Sequence, residues 1–188
     1  LRASRLEMIN KSKEVSKIAI ENNIKIRGAV VTAFGCPYEG NISFDSLEWI
    51  IKEYIQMGCD EICLADTVGM SNPKHVKYIT EKIRNIASDV KYSLHFHNTR
   101  GLGLANVYAG LQIGIQTFDS SIGGLGGCPF APRATGNIST EDTLNMLHEM
   151  GYKTNIDLKK IIEVVSYLEK TLSRQLPGQL LHAGKPKW

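Results

Sequence analysis

The chain has 188 residues, 43% of them hydrophobic and 22% charged, a length and balance that support an ordinary buried core. Its net charge of +3 comes from lysines scattered along helices and the tail, without a basic stripe interleaved with aromatics, which argues against a nucleic-acid partner. No apolar run approaches the roughly 20 residues of a membrane-spanning helix, which argues against membrane insertion.

In chain order, the N-terminal stretch LRASRLEMINKSKEV has neither the apolar core of a signal peptide nor an initiator methionine, the pattern of a chain that starts within something longer. A first helix is predicted over 11–22. The β-branched run IRGAVVTAF predicts a strand over 26–34, ending in the turn FGCPYEG, where Cys36 reads as a buried turn thiol. Leu47, Ile50, Ile51, Tyr54 and Ile55 recur at helical spacing up to a stop at Gly58. A second strand, EICLAD over 61–66, follows. Cys59 and Cys63 read as core residues, because no second cysteine pair completes a zinc tetrad, and all four cysteines fit a reducing compartment.

Asn72 followed by Pro73 marks the start of a helix carrying Val76, Ile79 and Ile83. The third strand, YSLHFH over 92–97, leads to a helix with Leu104, Val107, Tyr108 and Leu111 that stops at Gly114. The fourth, TFDSSI over 117–122, runs into SSIGGLGGCPFAPRATGN. Ser139, with Asp142 three residues on, starts a helix ending near Gly151, and another is predicted from Asp157 to about Thr171. QLPGQLLHAGKPKW reads as an irregular tail. Strands alternating with helices predict an α/β fold with a parallel sheet, either a small open sheet or half of an eight-stranded barrel. No dinucleotide or P-loop fingerprint is present.

In either architecture chemistry gathers at the carboxyl ends of the strands. Asp66 and Thr67 end the second strand, His95, His97 and Asn98 the third, and Asp119, Ser120 and Ser121 the fourth. His95 and His97 are two apart and therefore share a face, while Phe96 points into helix packing. Imidazole pairs suit zinc, manganese, iron or cobalt, but hydrogen-bonded interior histidines fit the same pattern. Gly123, Gly124, Gly126 and Gly127 form either a mobile functional loop ending on Cys128 or a tight turn with an inert thiol. Asp66 reads as a ligand, a base or an anchor. Asn137 reads as a cap of the helix beginning near Ser139, and Arg100 as an anion-binding or a solvated side chain. His75, His148 and His182 read as surface residues.

The four stretches FGCPYEG, LADTVGM, HFHNTRGLGLAN and GGLGGCPFAPRATGN occur in the order and at the spacing of the hydroxymethylglutaryl-CoA lyase family, which the chain resembles from about Ile26 to Met150. That family groups with metal-dependent TIM-barrel lyases and Claisen-type synthases. The resemblance implies one partial (β/α)8 barrel over 1–188, with units over 26–150 corresponding to strands five to eight, and a C-terminal helix and tail over 151–188. It implies that His95, His97 and Asn137 bind a divalent cation, Mg2+ or Mn2+, with Zn2+ or Co2+ as alternatives. It further implies Cys128 and Asp66 as catalytic residues and Arg100, Gly126, Gly127 and Arg133 as substrate contacts. The implied reaction cleaves 3-hydroxy-3-methylglutaryl-CoA to acetyl-CoA and acetoacetate, with citramalyl-CoA as an alternative acyl-CoA substrate, in leucine degradation and ketone-body formation. A homodimer at full length and a cytoplasmic or mitochondrial-matrix location go with it. Two departures stand out. Arg133 occupies a position where family lyases often have glycine, and the adjacent arginine and aspartate of strand one, a cation and a metal ligand, are absent. A truncated half-barrel or interaction module without activity of its own is therefore the competing expectation.

Overall fold

The computed structural model describes residues 3–129 and 136–184. Four parallel strands, β1 (Arg27–Val30), β2 (Glu61–Asp66), β3 (Lys91–Phe96) and β4 (Thr117–Asp119), pair in chain order, each with the next. Helix α1 (Arg5–Glu21) precedes β1, and α2 (Phe44–Gln56), α3 (Pro73–Arg84) and α4 (Gly103–Gln112) connect the strands. After β4 come a 3-10 turn (Ile122–Gly124), then α5 (Thr140–Glu149), α6 (Leu158–Leu172) and α7 (Leu180–Ala183). Among the described residues no helix is long and apolar enough to cross a membrane.

Local chemistry accounts for most boundaries. Asn72, Ser139 and Asp157 cap α3, α5 and α6 as their side chains predict, each accepting from a backbone N–H of the first turn. Helix α1 begins at Arg5 and not at Lys11, because Ser4 and Glu7 close a reciprocal capping box ahead of the predicted start. Strands β1 and β4 are shorter than predicted: Thr32 already has a positive φ of 60°, and the chain leaves β4 at Ser120.

The sheet is two-sided in its chemistry. Ile62 and Leu64 of β2 and Tyr92, Leu94 and Phe96 of β3 are buried in one apolar cluster with Leu47, Ile51, Val76, Ile79, Ile83 and Val107 of the helices. Burial of this kind is worth about 1.5–3 kcal/mol per large side chain and fixes which strand face meets the helices. The alternate residues, Arg27, Glu61, Cys63, Ser93, His95 and Asp119, line the other face and bond to one another. Strand order without reversal, with a polar inner face, is the arrangement of a barrel segment; an open doubly wound sheet reverses its order at a switch point.

Candidate active site

His95 and His97 share the inner face at the carboxyl end of β3, with ring centroids 5.2 Å apart. Phe96 between them is fully buried against Phe34, so strict alternation has sent one ring to the helices and two imidazoles inward. His97 is buried and His95 partly exposed. The separation lets both rings approach one ion at the roughly 2.0–2.1 Å typical of metal–imidazole bonds.

Asn137 reaches the same place through the backbone of the loop that follows β4. Residues 136–138 return along the end of β3: the Asn98 N–H donates to the Gly136 carbonyl at 3.1 Å, and the Ile138 N–H to that of Phe96 at 3.1 Å. His97 and Asn137 thereby face each other in an isolated antiparallel bridge. The Asn137 amide is oriented by its Nδ2, which donates to the Leu125 carbonyl at 2.8 Å. Its Oδ1 is consequently buried with no hydrogen-bond donor among the described residues. A buried orphan oxygen costs about 1–3 kcal/mol unless something else satisfies it. Two imidazoles, with an unsatisfied amide oxygen on the residue bridged to His97, are by their chemistry a donor set that fits a divalent cation. Gly126 makes this packing possible: its φ is +104°, and a Cβ there would lie 2.5 Å from Asn137 Nδ2.

Below the histidines runs an ionic network that the strand-end reading overlooks. Asp119, opposite His95 in the β3–β4 register, accepts from or shares a proton with His95 Nδ1 at 3.3 Å. It also accepts from the Arg27 guanidinium at 2.8 Å, across two intervening strands. Arg27 pairs with Glu61 at 2.7 Å as well and donates to Ser93 Oγ at 3.0 Å. The hydrogen bond from His95, followed by the contacts with Arg27, holds the Asp119 carboxyl below the ordinary range despite its partial burial. Asp119 was visible in the sequence as a strand-end acid. Arg27 was not, because it starts its strand and reaches the site only through the stagger of the sheet.

Asp66 and Arg100 have their side chains engaged elsewhere. Asp66 is fully buried in phase with Ile62 and Leu64, on the helix side. Its Oδ1 accepts from the Met70 N–H at 2.8 Å, and its Oδ2 from the Ser71 N–H at 3.0 Å and from the Ser71 hydroxyl. Asn106 of α4 donates to that same hydroxyl at 2.8 Å. The structure therefore engages both oxygens of Asp66 in the β2–α3 connection and does not bring them to the histidines. Arg100 donates to the carbonyls of Val68 and Gly69 at 2.7 and 3.2 Å, bracing the same connection. Cys128 is partly buried on the loop that carries Gly126, Gly127 and Asn137. Arg133 lies outside the described residues.

The base of that loop is built on Glu141. This fully buried side chain accepts from the Gly123 N–H at 3.0 Å, and burial pushes its carboxyl above the ordinary value. Leu176 packs against Gly123, Pro177 against Gly124 and Gly136, and Gly178 against Glu141. Over its described part, 175–184, the predicted irregular tail is thus a strap beneath the loop that buries Leu176, Gly178 and Leu180 and includes α7.

Residues 1–168 match the family model described as HMGL-like. An (R)-citramalyl-CoA lyase of Chloroflexus aurantiacus is 44% identical over 156 residues, covering 83% of this chain and 49% of that protein. A hydroxymethylglutaryl-CoA lyase of Bacillus subtilis is 37% identical over 179 residues, covering 95% of this chain and 60% of that protein. The structure of an HMG-CoA lyase from Acinetobacter baumannii, in complex with coenzyme A and 3-methylmalate, superposes with a TM-score of 0.94 at 42% identity, over 99% of this chain and 61% of that one. The chain spans about half to three-fifths of the length of these three relatives.

Proposed function

This chain belongs to the HMGL-like family, and from that premise we propose that it supplies the metal-binding strand end and the cysteine loop of a carbon–carbon lyase acting on an acyl-CoA. The observation that carries the reading is the pair of imidazoles of His95 and His97 at the carboxyl end of β3, with Asn137, whose Oδ1 is buried and unpaired, bridged to His97 through its backbone. Those three residues would hold a divalent cation, Mg2+ or Mn2+, whose contribution when bound is Lewis-acid polarisation of the substrate's oxygens.

The reaction proposed is the retro-Claisen cleavage of 3-hydroxy-3-methylglutaryl-CoA. The tertiary hydroxyl gives its proton to a base, the adjacent carbon–carbon bond breaks, and its electron pair passes to the α-carbon of the departing thioester. Acetoacetate and the enolate of acetyl-CoA result. Cys128 then gives its Sγ proton to that carbon, a general-acid step worth about 10²- to 10⁴-fold. Gly126 and Gly127, both exposed, let the loop bring the thiol over the substrate. Asp66 and Arg100 shape the floor by fixing the β2–α3 connection and touch no substrate in this reading.

Citramalyl-CoA is the second substrate reading, favoured by the 44% identity to a protein named (R)-citramalyl-CoA lyase. The test is to assay cleavage of both thioesters, with and without Mg2+ or Mn2+. It uses the chain alone and the chain joined to the part of the Bacillus subtilis relative that it does not cover. Metal-dependent cleavage of one thioester by the joined form is expected, with kcat lowered about 10²- to 10⁴-fold by Cys128→Ser. Absence of cleavage of both substrates by a folded joined form overturns the proposal.

A further inference from the structure

We propose that Asp119, clamped by Arg27, is a positioning residue that fixes the tautomer of His95 and so makes its Nε2 available as a metal ligand. The inference rests on the metal-site reading above and goes beyond it.

His95 has two ring nitrogens, and only one can carry the proton when the ring is neutral. A free imidazole side chain favours the proton on Nε2, the nitrogen that must be bare to bind an ion; a hydrogen-bond partner at Nδ1 reverses the preference. Asp119 Oδ2 lies 3.3 Å from Nδ1. A carboxylate is an acceptor only, so this contact requires the proton on Nδ1 and leaves the lone pair on Nε2.

The carboxylate is itself held from the far side of the sheet. Asp119 ends a strand of only three residues, which among the described residues pairs with β3. Strand pairing alone is a weak anchor for a side chain that must hold an imidazole in place. Arg27 Nη2 donates to the same Oδ2 at 2.8 Å. The guanidinium is in turn fixed by Glu61 at 2.7 Å and by Ser93, whose hydroxyl also donates to Glu61. Glu61 takes up part of the Arg27 charge, so the guanidinium steers Asp119 without driving positive charge toward the metal-binding nitrogen. One inner-face residue from each of the four strands thus takes part in aiming a single ring. Partners of this kind typically contribute about 10- to 100-fold to metal affinity.

The experiment labels histidine with 15N and reads the ring tautomer from imidazole nitrogen shifts in the metal-free protein at about pH 8, above the usual histidine titration. His95→Ala assigns the signal. Mn2+ affinity is measured in parallel by titration calorimetry, using the 188-residue chain and the joined form. The expected result is an Nδ1–H tautomer for His95 that shifts to Nε2–H in Asp119→Asn, with Mn2+ dissociation weakened about 10- to 100-fold. Arg27→Gln should produce a smaller shift in the same direction. An Nε2–H tautomer in the unsubstituted protein overturns the inference, and that reading stands even where Asp119→Asn fails to fold. Unchanged Mn2+ affinity in a folded Asp119→Asn overturns it too. Loss of Mn2+ binding in His95→Ala isolates these outcomes from the metal-site reading, which falls separately when His95→Ala binds Mn2+ as the unsubstituted protein does.

Discussion

Asp66 and Asp119 both end strands, and at the scale of the residue their difference is one of phase. Asp66 lies in register with Ile62 and Leu64, the apolar face of β2, whereas Asp119 stands opposite His95 on the inner face. The alternation that separates His95 and His97 from Phe96 is legible in the sequence, and applied to EICLAD it puts Asp66 with the apolar residues. The motif resemblance implies instead a catalytic role for Asp66. For Asp119 the predicted strand TFDSSI has too little apolar alternation to establish phase, and for Arg27 the sequence offers no sign of the cross-strand stagger. The structural role of Asp66 has a measurable consequence. In Asp66→Asn one acceptor oxygen becomes an NH2 group facing donors, at Met70 N–H or at Ser71, so a loss of about 1.5–3 kcal/mol is expected in urea denaturation. Mn2+ affinity should stay within twofold, by the roughly RT-sized differences that such a factor represents. A stable Asp66→Asn that has lost its metal affinity would return this residue to the site.

The elements that carry the loop depend on a buried acid, and here pH becomes informative. Glu141, at the start of α5, accepts from the Gly123 N–H at the base of the glycine-rich loop. Its pKa rises from 4.5 chiefly because burial penalises the charged form; Asp142 beside it and Glu169 from α6 add to the rise, while the Gly123 hydrogen bond opposes it. Glu169 is itself paired with His182 of α7 at 3.2 Å. A carboxyl whose pKa is higher folded than unfolded contributes stability that is fully present below its unfolded value and is lost as pH rises through the folded one. Relative to the unsubstituted protein, Glu141→Gln should therefore gain stability as pH is raised above about 4.5, levelling off once Glu141 is ionised in the fold. Denaturation midpoints across a pH series check this; parallel profiles for the two proteins would show that Glu141 pays no burial cost. The strap itself was hard to read in sequence because QLPGQLL has no helical or strand periodicity. Leu176 and Leu180 are buried by what they cover, the glycines of the loop and the α5–α6 cluster, and that pairing is distant along the chain.

For the whole molecule, the order of β/α units was readable because each strand is followed by an amphipathic helix with a recognisable cap or stop. The stagger of the sheet was not, since it belongs to the sheet and not to any one segment. Among the described residues β1 and β4 are both edge strands, each paired on one side alone. Leu6, Val15, Ile18 and Ile24 are more than half exposed on and just after α1, as is Val31 beyond the end of β1. A groove lined by Met8, Ile9, Ala29, Val31, Trp49 and Ile50 lies between α1, β1 and α2. In a closed (β/α)8 barrel both edges are paired, which removes the backbone groups that otherwise recruit other chains. Apolar exposure on this scale beside an open edge favours association, and the 188-residue chain studied alone is expected to self-associate with rising concentration in sedimentation velocity. Val15→Lys combined with Ile18→Lys should shift that equilibrium toward monomer, because charge on an apolar patch raises the cost of burying it against a second copy. Joining the part of the Bacillus subtilis relative that this chain does not cover should do the same by pairing the edges, and should tighten Mn2+ binding by adding ligands. A monomeric 188-residue chain at high concentration, with Mn2+ affinity equal to that of the joined form, would show instead that the half-barrel is a complete folding and binding unit.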